Sequence, residues 1–506
     1  MTATAEPTLP PPFAQVLDAD IVIAGTGFAG LGMAIKLKKA GVESFVLLER
    51  ALEIGGTWRD NHYPGCACDI PSELYSFSFE REFAWTRDYP TQPEILAYLQ
   101  KCADTYGIRP HVRHGSEIVE ARYDERAGIW KIGLRDGSSV RCRVFVSAMG
   151  GLSRPNVPTL PGLERFQGHA FHSAQWDHAY DMTGKTVAVV GTGASAIQFV
   201  PKIAVRAERV YLFQRTPPWI IPKVDNAVGP LRRALMRVPG VAWLRRKAIY
   251  WIHEVRALGF AVDPRILGAV QKMATQHLEQ QIADPALRAL VTPHYHMGCK
   301  RILLSNDYYP ALTRDNVEVI AGGVSSFTSD GVVGSDGVER KADVVVLATG
   351  FHATHPFGDV RIFGRGGLEL NDVWKDGMEA FLGVNVAGFP NLFVLVGPNT
   401  GLGHNSMVFM IESQVRYVMG LLDLMKRTKT AVIDVKRQVQ DGFNGALQKR
   451  MSKTVWKSGC KSWYLDENGK NTVLWPGFSF TYGLWTRRVD AARYDKFRPV
   501  PAASKT

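Results

Sequence analysis

Cysteine is scarce in this 506-residue chain: Cys66, Cys68, Cys102, Cys142, Cys299 and Cys460 are the six, and no Cys-x-x-Cys occurs. That excludes a disulfide framework and a zinc ribbon, and it points to a reducing, cytoplasmic setting. Cys66 and Cys68 are one residue apart, which suits neither a zinc clip nor a redox-active pair, so both read as packing residues. No metal is expected. Long apolar runs are also missing, and no window approaches the ~18 residues of a membrane-spanning helix. The first fourteen residues lack the basic and apolar regions of a secretory signal and read as a Pro-rich, disordered lead-in. The terminal Ala-Ser-Lys-Thr is not a peroxisomal address. Acidic residues are the minority charge, 48 against 60 Lys and Arg, for a net charge of +12. Yet the basic residues are scattered, so they read as a solvated surface serving phosphorylated ligands, with nucleic acid the weaker alternative.

What is present is the composition of a large globular protein, 46% apolar and 21% charged. At about 100–200 residues per domain the length suggests two to four units. Asp20-Ile-Val-Ile-Ala24 is an apolar run of the kind buried in a parallel sheet. Gly25-Thr-Gly27-Phe-Ala-Gly30 follows, and then the amphipathic stretch Leu31 to Ala40. In this order the first glycine permits a tight turn, the second admits a pyrophosphate to backbone N–H groups, and the third lets helix and strand pack closely. The next strand, Ser44 to Leu48, ends in Glu49, 24 residues after Gly25. There a carboxylate accepts hydrogen bonds from ribose hydroxyls, and the motif predicts a dinucleotide site. Gly55-Gly56-Thr57-Trp58, Tyr63-Pro64-Gly65 and Cys68-Asp69-Ile70-Pro71 come next. Their glycines indicate backbone lying against a ligand, the alternative being a surface turn with Asp69 as a helix cap.

The pattern then recurs. After a helical run from Glu94 to Tyr106 and hairpin-like strands around Trp130 and Val140 to Val146, the strand Val144 to Ala148 runs into Met149-Gly150. A near copy, Asp343-Val-Val-Val-Leu-Ala-Thr-Gly350, places domain crossings near 150 and again just after the copy. Lys185 to Gly191 repeats the buried strand and Gly191-Thr-Gly193-Ala-Ser-Ala196 the turn, with Ala196 as a tolerated third position. The following strand, Arg209 to Gln214, ends in Arg215, again 24 residues after the first glycine. A carboxylate repels a 2′-phosphate, whereas a guanidinium offers it a fork of donors, so a dinucleotide with free ribose hydroxyls is expected at the first turn and NADPH at the second. A solvated surface arginine is the alternative for Arg215. From Lys223 to His296 the texture is helical, and Arg232, Arg233, Arg237, Arg245, Arg246 and Lys247 alternate with apolar residues. A helical subdomain packed on the core is preferred there over a membrane-surface helix.

Between the two glycine turns lies Phe166-Gln-Gly-His-Ala-Phe-His-Ser-Ala-Gln-Trp-Asp177. By composition it is a connector with a core histidine and a buried tryptophan. As a pattern it reads F-x-G-x-x-x-H-x-x-x-W-D, at Phe166, Gly168, His172, Trp176 and Asp177. With this fingerprint the chain resembles the type I Baeyer–Villiger monooxygenases over roughly residues 18–490. The resemblance implies an α/β protein with two Rossmann-like dinucleotide-binding domains, for FAD and NADP, and a helical insertion in the NADP domain. The FAD domain is expected over 15–149 and 388–506, the NADP domain over 150–222 and 299–387, and the insertion over 223–298.

The resemblance also implies roles. Gly56, Thr57 and Trp58 would line FAD beside Gly25, Gly27, Gly30 and Glu49, and Asp69 would sit next to the flavin. Thr216 and Lys300 would assist Arg215 beside the turn of Gly191, Gly193 and Ala196. Arg301 would reach the flavin as the central catalytic residue, where the residues alone suggest a structural loop arginine. The turn Gly401 to Met407 would lie over the flavin, with Leu402, His404, Asn405 and Met407 lining the substrate pocket. Met407, Met410 and Trp456 read otherwise as ordinary core. Trp463 would contact the nicotinamide cofactor and close the pocket. The fingerprint would lie in a linker that couples domain movements, with His172 and Asp177 organising rather than catalytic.

The implied reaction takes hydride from NADPH, forms a flavin peroxide with O2, and inserts one oxygen next to a ketone carbonyl to give an ester or lactone, with sulfides as further substrates. Two alternatives stay open. One is a flavin-containing N/S-monooxygenase, whose fingerprint lacks the Trp176-Asp177 ending, and the other is a flavin redox sensor without turnover. Neither nucleic acid nor membrane is expected as a partner.

Overall fold

The computed structural model describes residues 18–81 and 83–497. The Pro-rich lead-in and the Ala-Ser-Lys-Thr end lie outside the described residues. Two five-stranded parallel sheets organise the chain. In the first the order is Leu392–Val394, Val144–Ser147, Ile21–Ala24, Phe45–Leu48, Val112–Arg113, with Ile21 in register with both Phe45 and Val144. In the second it is Val317–Ala321, Arg209–Gln214, Thr186–Val190, Val344–Leu347, His169–His172. Val187 there faces both Val210 and Val344. The central strands are continuous Val/Ile/Leu runs because helices and smaller sheets cover both faces of a parallel sheet. Accordingly, Val22, Ile23, Val187, Ala188 and Val189 are fully buried.

The two halves repeat each other down to single hydrogen bonds. The N–H of Gly25 donates to Leu48 and that of Ala148 to Ala24. In the second half Gly191 donates to Phe213 and Ala348 to Val190. Both first glycines take a positive φ, +99° and +108°. A methyl group at Gly25 would stand 2.8 Å from the Ala148 carbonyl oxygen, and one at Gly191 would stand 2.6 Å from that of Ala348. Glycine is therefore required twice, for strain and for space. At the third position Gly30 backs onto the Gly25 carbonyl, while Ala196 fits, fully buried, at the start of the helix Ala196–Ile203.

Helices Pro230–Arg237, Val241–Val255, Leu267–Gln281 and Pro285–Val291 occupy the stretch read as a helical insertion. Its arginines lock it onto the first half. Arg232 bridges Glu73 and Asp88, Arg245 pairs with Glu73, and Arg246 donates to the Glu73 carbonyl and to Ser76. No described helix is long and apolar enough to cross a membrane.

Three features were not visible in the sequence. First, the chain rejoins the first half well before residue 388. Arg361–Phe363 joins a four-stranded sheet beside Ile118–Asp124, and Phe357, Ile362, Trp374 and Val386 are buried in one cluster with Val22 and Phe145. Second, the fingerprint is more than a linker, since His169–His172 is the edge strand of the second sheet, with His172 opposite Leu347. Its residues are set by packing: a side chain at Gly168 would run into Phe166 and the Asp343 carbonyl, and Trp176 is buried against Phe199. The turn after it is held by Asp177, which pairs with His169 at 3.1 Å and accepts from the Ala179 N–H. Third, Cys299 and Cys460, 161 residues apart, form a disulfide. Scarcity rules out a framework but not a single bridge. Cys66 and Cys68 are free and buried, and burial lifts the Cys66 thiol to about 12, so both are packing residues.

Candidate active site

A cleft runs along the first glycine turn. Gly25, Gly27 and Gly56 line it with Glu49, Trp58 and Met407. A methyl group on Gly56 would lie 3.0 Å from the Gly27 Cα, so two backbones meet edge to edge and leave their polar groups to the cleft. Gly27 caps the helix Phe28–Lys39, which has no acidic residue in its first turn, so its positive end is free for a phosphate. At one end Glu49 is buried. Its Oε2 accepts from Thr26 N–H and Oγ1 at 3.1 and 2.6 Å, and its Oε1 pairs with Arg59 at 2.8 Å. Arg59, which also pairs with Asp60, was not legible in the sequence. At the other end the cleft reaches Tyr75, Val396 and Met407, the last of these at the start of helix Met407–Thr428. Met407 thus lines this cleft. Trp58 donates to the Tyr75 hydroxyl at 3.1 Å. A dinucleotide-sized groove between a helix N-terminus and a buried carboxylate fits FAD.

Beyond Tyr75 lies an ion pair between the halves. Arg301 donates from Nε to Asp69 Oδ2 and from Nη2 to Asp69 Oδ1, both at 2.7 Å, with each side chain about a quarter exposed (28% and 25%). Asp69 comes from the loop after Gly65, and Arg301 from the segment that closes the helical insertion. The carboxylate raises the Arg301 guanidinium above its ordinary range, more than burial lowers it, so it is a permanent cation. Two bonds to Asp69 leave three of the five guanidinium N–H groups free to point elsewhere.

The second glycine turn carries a different charge pattern. Arg215 is exposed and makes no ion pair or hydrogen bond among the described residues, and Lys300 is half-buried with its Nζ 4.9 Å from the centre of the Tyr295 ring. Burial and the charge of Arg215 together lower the Lys300 pKa. Two neighbouring cations with no carboxylate between them form a site for a dianion, and they fit the 2′-phosphate of NADPH. Thr216 offers its carbonyl to the Thr192 hydroxyl at 3.2 Å, shaping the loop next to Arg215.

The structure does not gather every expected pocket residue. His404 and Asn405 are buried and face Glu254 of the insertion: Asn405 donates to it at 2.7 Å and His404 Nε2 lies 3.7 Å away. Ser479 and the Phe480 N–H complete the shell of Glu254. Leu402 packs with Met410 and Trp456 in the core. Trp463 is 43% exposed, whereas its neighbour Tyr464 is buried and interacts electrostatically with Arg301. Glu254 and Tyr464 have no local sequence signal, since each depends on partners far along the chain.

Comparison with known proteins decides the family. A family profile described as pyridine nucleotide-disulphide oxidoreductase matches residues 22–235, which contain both glycine turns. A protein of Pseudomonas aeruginosa named Baeyer–Villiger monooxygenase is 50% identical over 477 residues, 94% of this chain and 90% of that one. The chain belongs to the Baeyer–Villiger monooxygenases. Its fold matches an oxidized steroid monooxygenase bound to NADP, with a TM-score of 0.86 and 30% identity over 96% of this chain and 100% of the other. It also matches OTEMO in complex with FAD and NADP, with a TM-score of 0.87 and 25% identity over 95% and 100%. The protein is thus a flavoprotein monooxygenase of the Baeyer–Villiger type that uses FAD and NADPH, built on two Rossmann-like domains. A purely sensory flavoprotein and an N/S-monooxygenase are set aside as family assignments.

Proposed function

We propose that the substrate is a ketone, with thioethers as secondary substrates, and that Arg301, oriented by Asp69, is the catalytic cation. The observation that carries this reading is the bidentate Asp69–Arg301 pair. It joins a loop of the half that fits FAD to a loop of the half that fits NADPH. When bound, FAD and NADPH supply the redox chemistry that delivers one atom of O2 to the substrate. The chain's own contribution is electrostatic. Negative charge develops on the ketone oxygen as the carbonyl carbon becomes tetrahedral, and the free N–H groups of Arg301 stabilise it without titrating at any working pH. Asp69 fixes the guanidinium plane, at the cost of part of its positive potential.

In the same reading Gly25, Gly27, Gly30, Glu49, Gly56, Thr57 and Trp58 hold FAD, with Met407 at the flavin end. Gly191, Gly193, Ala196, Arg215, Thr216 and Lys300 hold NADPH. Among the described residues the FAD domain comprises those up to 149 together with the segment from about 357 onward, and 223–298 is the helical insertion. The reaction takes place in the cytoplasm. Trp463 is assigned to the nicotinamide side as part of a surface loop able to fold inward. The fingerprint organises the join between the halves.

A panel of linear, cyclic and aryl ketones with thioethers tests the reading. NADPH consumption should rise on adding ketone and products one oxygen heavier should be identified as esters or lactones by mass. Oxidation of thioethers alone would replace the ketone assignment with heteroatom oxygenation.

A further inference from the structure

The disulfide joins two segments that both end at the ion pair. Cys299 immediately precedes Lys300-Arg301, and Cys460 opens the run Cys460-Lys-Ser-Trp463-Tyr464. Cys299 is fully buried, while Cys460 is half-buried. Four residues beyond the bridge, Tyr464 is buried in a cluster with Leu402, Met297, Trp456 and Trp475. Tyr464 and Arg301 interact electrostatically, and Ile302, the residue after Arg301, packs against the same cluster as Tyr464. The ring of Trp463 lies against it at 4.4 Å between centroids. The Arg301 segment is therefore held twice: by the Asp69 carboxylate across the halves, and by a loop that is covalently tied to it and packs Tyr464 in the same cluster as Ile302. Without the bridge that loop is an irregular stretch rich in Gly, Ser and Lys, with its neighbours Lys457, Ser458, Gly459 and Lys461 exposed. Such a stretch is free to leave.

We propose that the Cys299–Cys460 disulfide and Tyr464 form a thiol-cleavable clasp that positions Arg301, so that oxygen reaches the ketone efficiently only while the bridge is closed. The proposal rests on the reading of Arg301 as the catalytic cation, with Tyr464 as a positioning residue. Opening requires a dithiol. Its thiolate attacks Cys460 Sγ, the accessible sulfur, and the S–S bond breaks to release the Cys299 thiolate, which takes up a proton. The second thiol of the reductant then displaces Cys460, leaving two cysteine thiols in the enzyme and a disulfide in the reductant.

The test uses the FAD-loaded enzyme. Alkylation of the denatured protein without reductant should label four cysteines, Cys66, Cys68, Cys102 and Cys142, and six after dithiothreitol. Ester formed per NADPH consumed is then measured for wild type before and after reduction, and for Cys460→Ser, Tyr464→Phe and Arg301→Ala. Reduced wild type, Cys460→Ser and Tyr464→Phe should each lose roughly tenfold in ester yield, the size of loss expected when a charged group loses one polar neighbour. FAD content, the KM for NADPH and the rate of FAD reduction should stay near wild type, with the lost oxygen appearing as hydrogen peroxide. Re-oxidation should restore wild type and leave Cys460→Ser unchanged. Because reduction of wild type needs no substitution, poor folding of a variant does not remove the test. Six labelled cysteines in the enzyme as isolated would overturn the clasp. So would unchanged ester yield in all three forms while Arg301→Ala abolishes ester, and that result would leave the Arg301 reading standing. Ester formation by Arg301→Ala itself would sink the reading beneath.

Discussion

Arg301 has a geometry that separates catalysis from folding. It is only partly buried and its bonds to Asp69 are polar, so removing it deletes little packing. Arg301→Ala should therefore keep FAD content and melting temperature near wild type while ester formation falls by at least ~10²–10³, the usual loss for one preorganised transition-state donor. FAD reduction by NADPH depends on proximity more than on this charge and should slow far less. Lysine should rescue poorly, because an ammonium cannot make the planar two-point contact with Asp69. Stopped-flow reduction and product analysis on one preparation check this, and ester at wild-type rate would end the assignment. Arg215 makes the opposite case, an exposed cation next to Lys300 with no ion-pair partner among the described residues. Arg215→Ala should cost about 1.5–3 kcal/mol of NADPH binding, or roughly ten- to a hundredfold, and leave NADH use untouched. An unchanged NADPH/NADH ratio of kcat/KM would place the phosphate elsewhere.

At the scale of elements, the helix Val241–Val255 is what pins the turn Gly401–Ser406. Its Glu254 takes hydrogen bonds from Asn405, Ser479 and Phe480, and the ring Nδ1 of its His253 meets the His404 carbonyl at 3.2 Å. Burial raises the Glu254 carboxyl, but the nearby His404 ring and the bonds from Ser479 and Asn405 more than offset this and hold it below its ordinary value. Burial, and then the charge of Arg256, push His253 down to about 4 from 6.5. The signs agree. A histidine with a depressed folded pKa leaves the unfolded chain binding more protons between about 4 and 6.5, so its stabilisation is complete above 6.5 and drains away as pH falls toward 4. A depressed carboxylate adds its own loss lower still. The melting temperature of the FAD-bound enzyme should thus decline on acidification from pH 6.5. His253→Asn, which keeps a donor for the carbonyl without titrating, should flatten the decline between 6.5 and 4, and a slope identical to wild type would remove His253 from the account.

At the scale of the whole molecule, the readable parts were those whose signal is local. The strand, glycine turn and helix lie within about twenty residues of one another, and the positive φ that favours glycine at 25 and 191 belongs to the turn itself, although the carbonyls that crowd each glycine come from strands far along the chain. The fingerprint was legible as a pattern but not as an edge strand, because its ladder partner Val344–Leu347 lies far down the chain. Likewise Glu254, Tyr464 and the Cys299–Cys460 bridge acquire their roles only from long-range contacts. The return at about residue 357 was masked because a short strand adding to an existing sheet carries no motif. The two halves meet through polar contacts as well as Arg301. Gln198 of the second half accepts from the Tyr63 hydroxyl at 2.9 Å and donates to the Ala67 carbonyl at 3.0 Å. A polar join of this kind allows the halves to move. The FAD cleft, by contrast, lies within one half and draws on residues from Gly25 to Met407. Ligand there clamps distant parts of the chain at once, and anything that binds only the folded form stabilises it by mass action, about 2.7 kcal/mol at a hundredfold excess over Kd. The isolated protein should be yellow, and FAD-stripped protein should melt at lower temperature and recover in step with added FAD. NADPH added to stripped protein should recover less, because its site lies on the other half. Calorimetry across an FAD titration decides the matter: a melting temperature indifferent to FAD would mean that the cleft along Gly25 is not where the flavin is held.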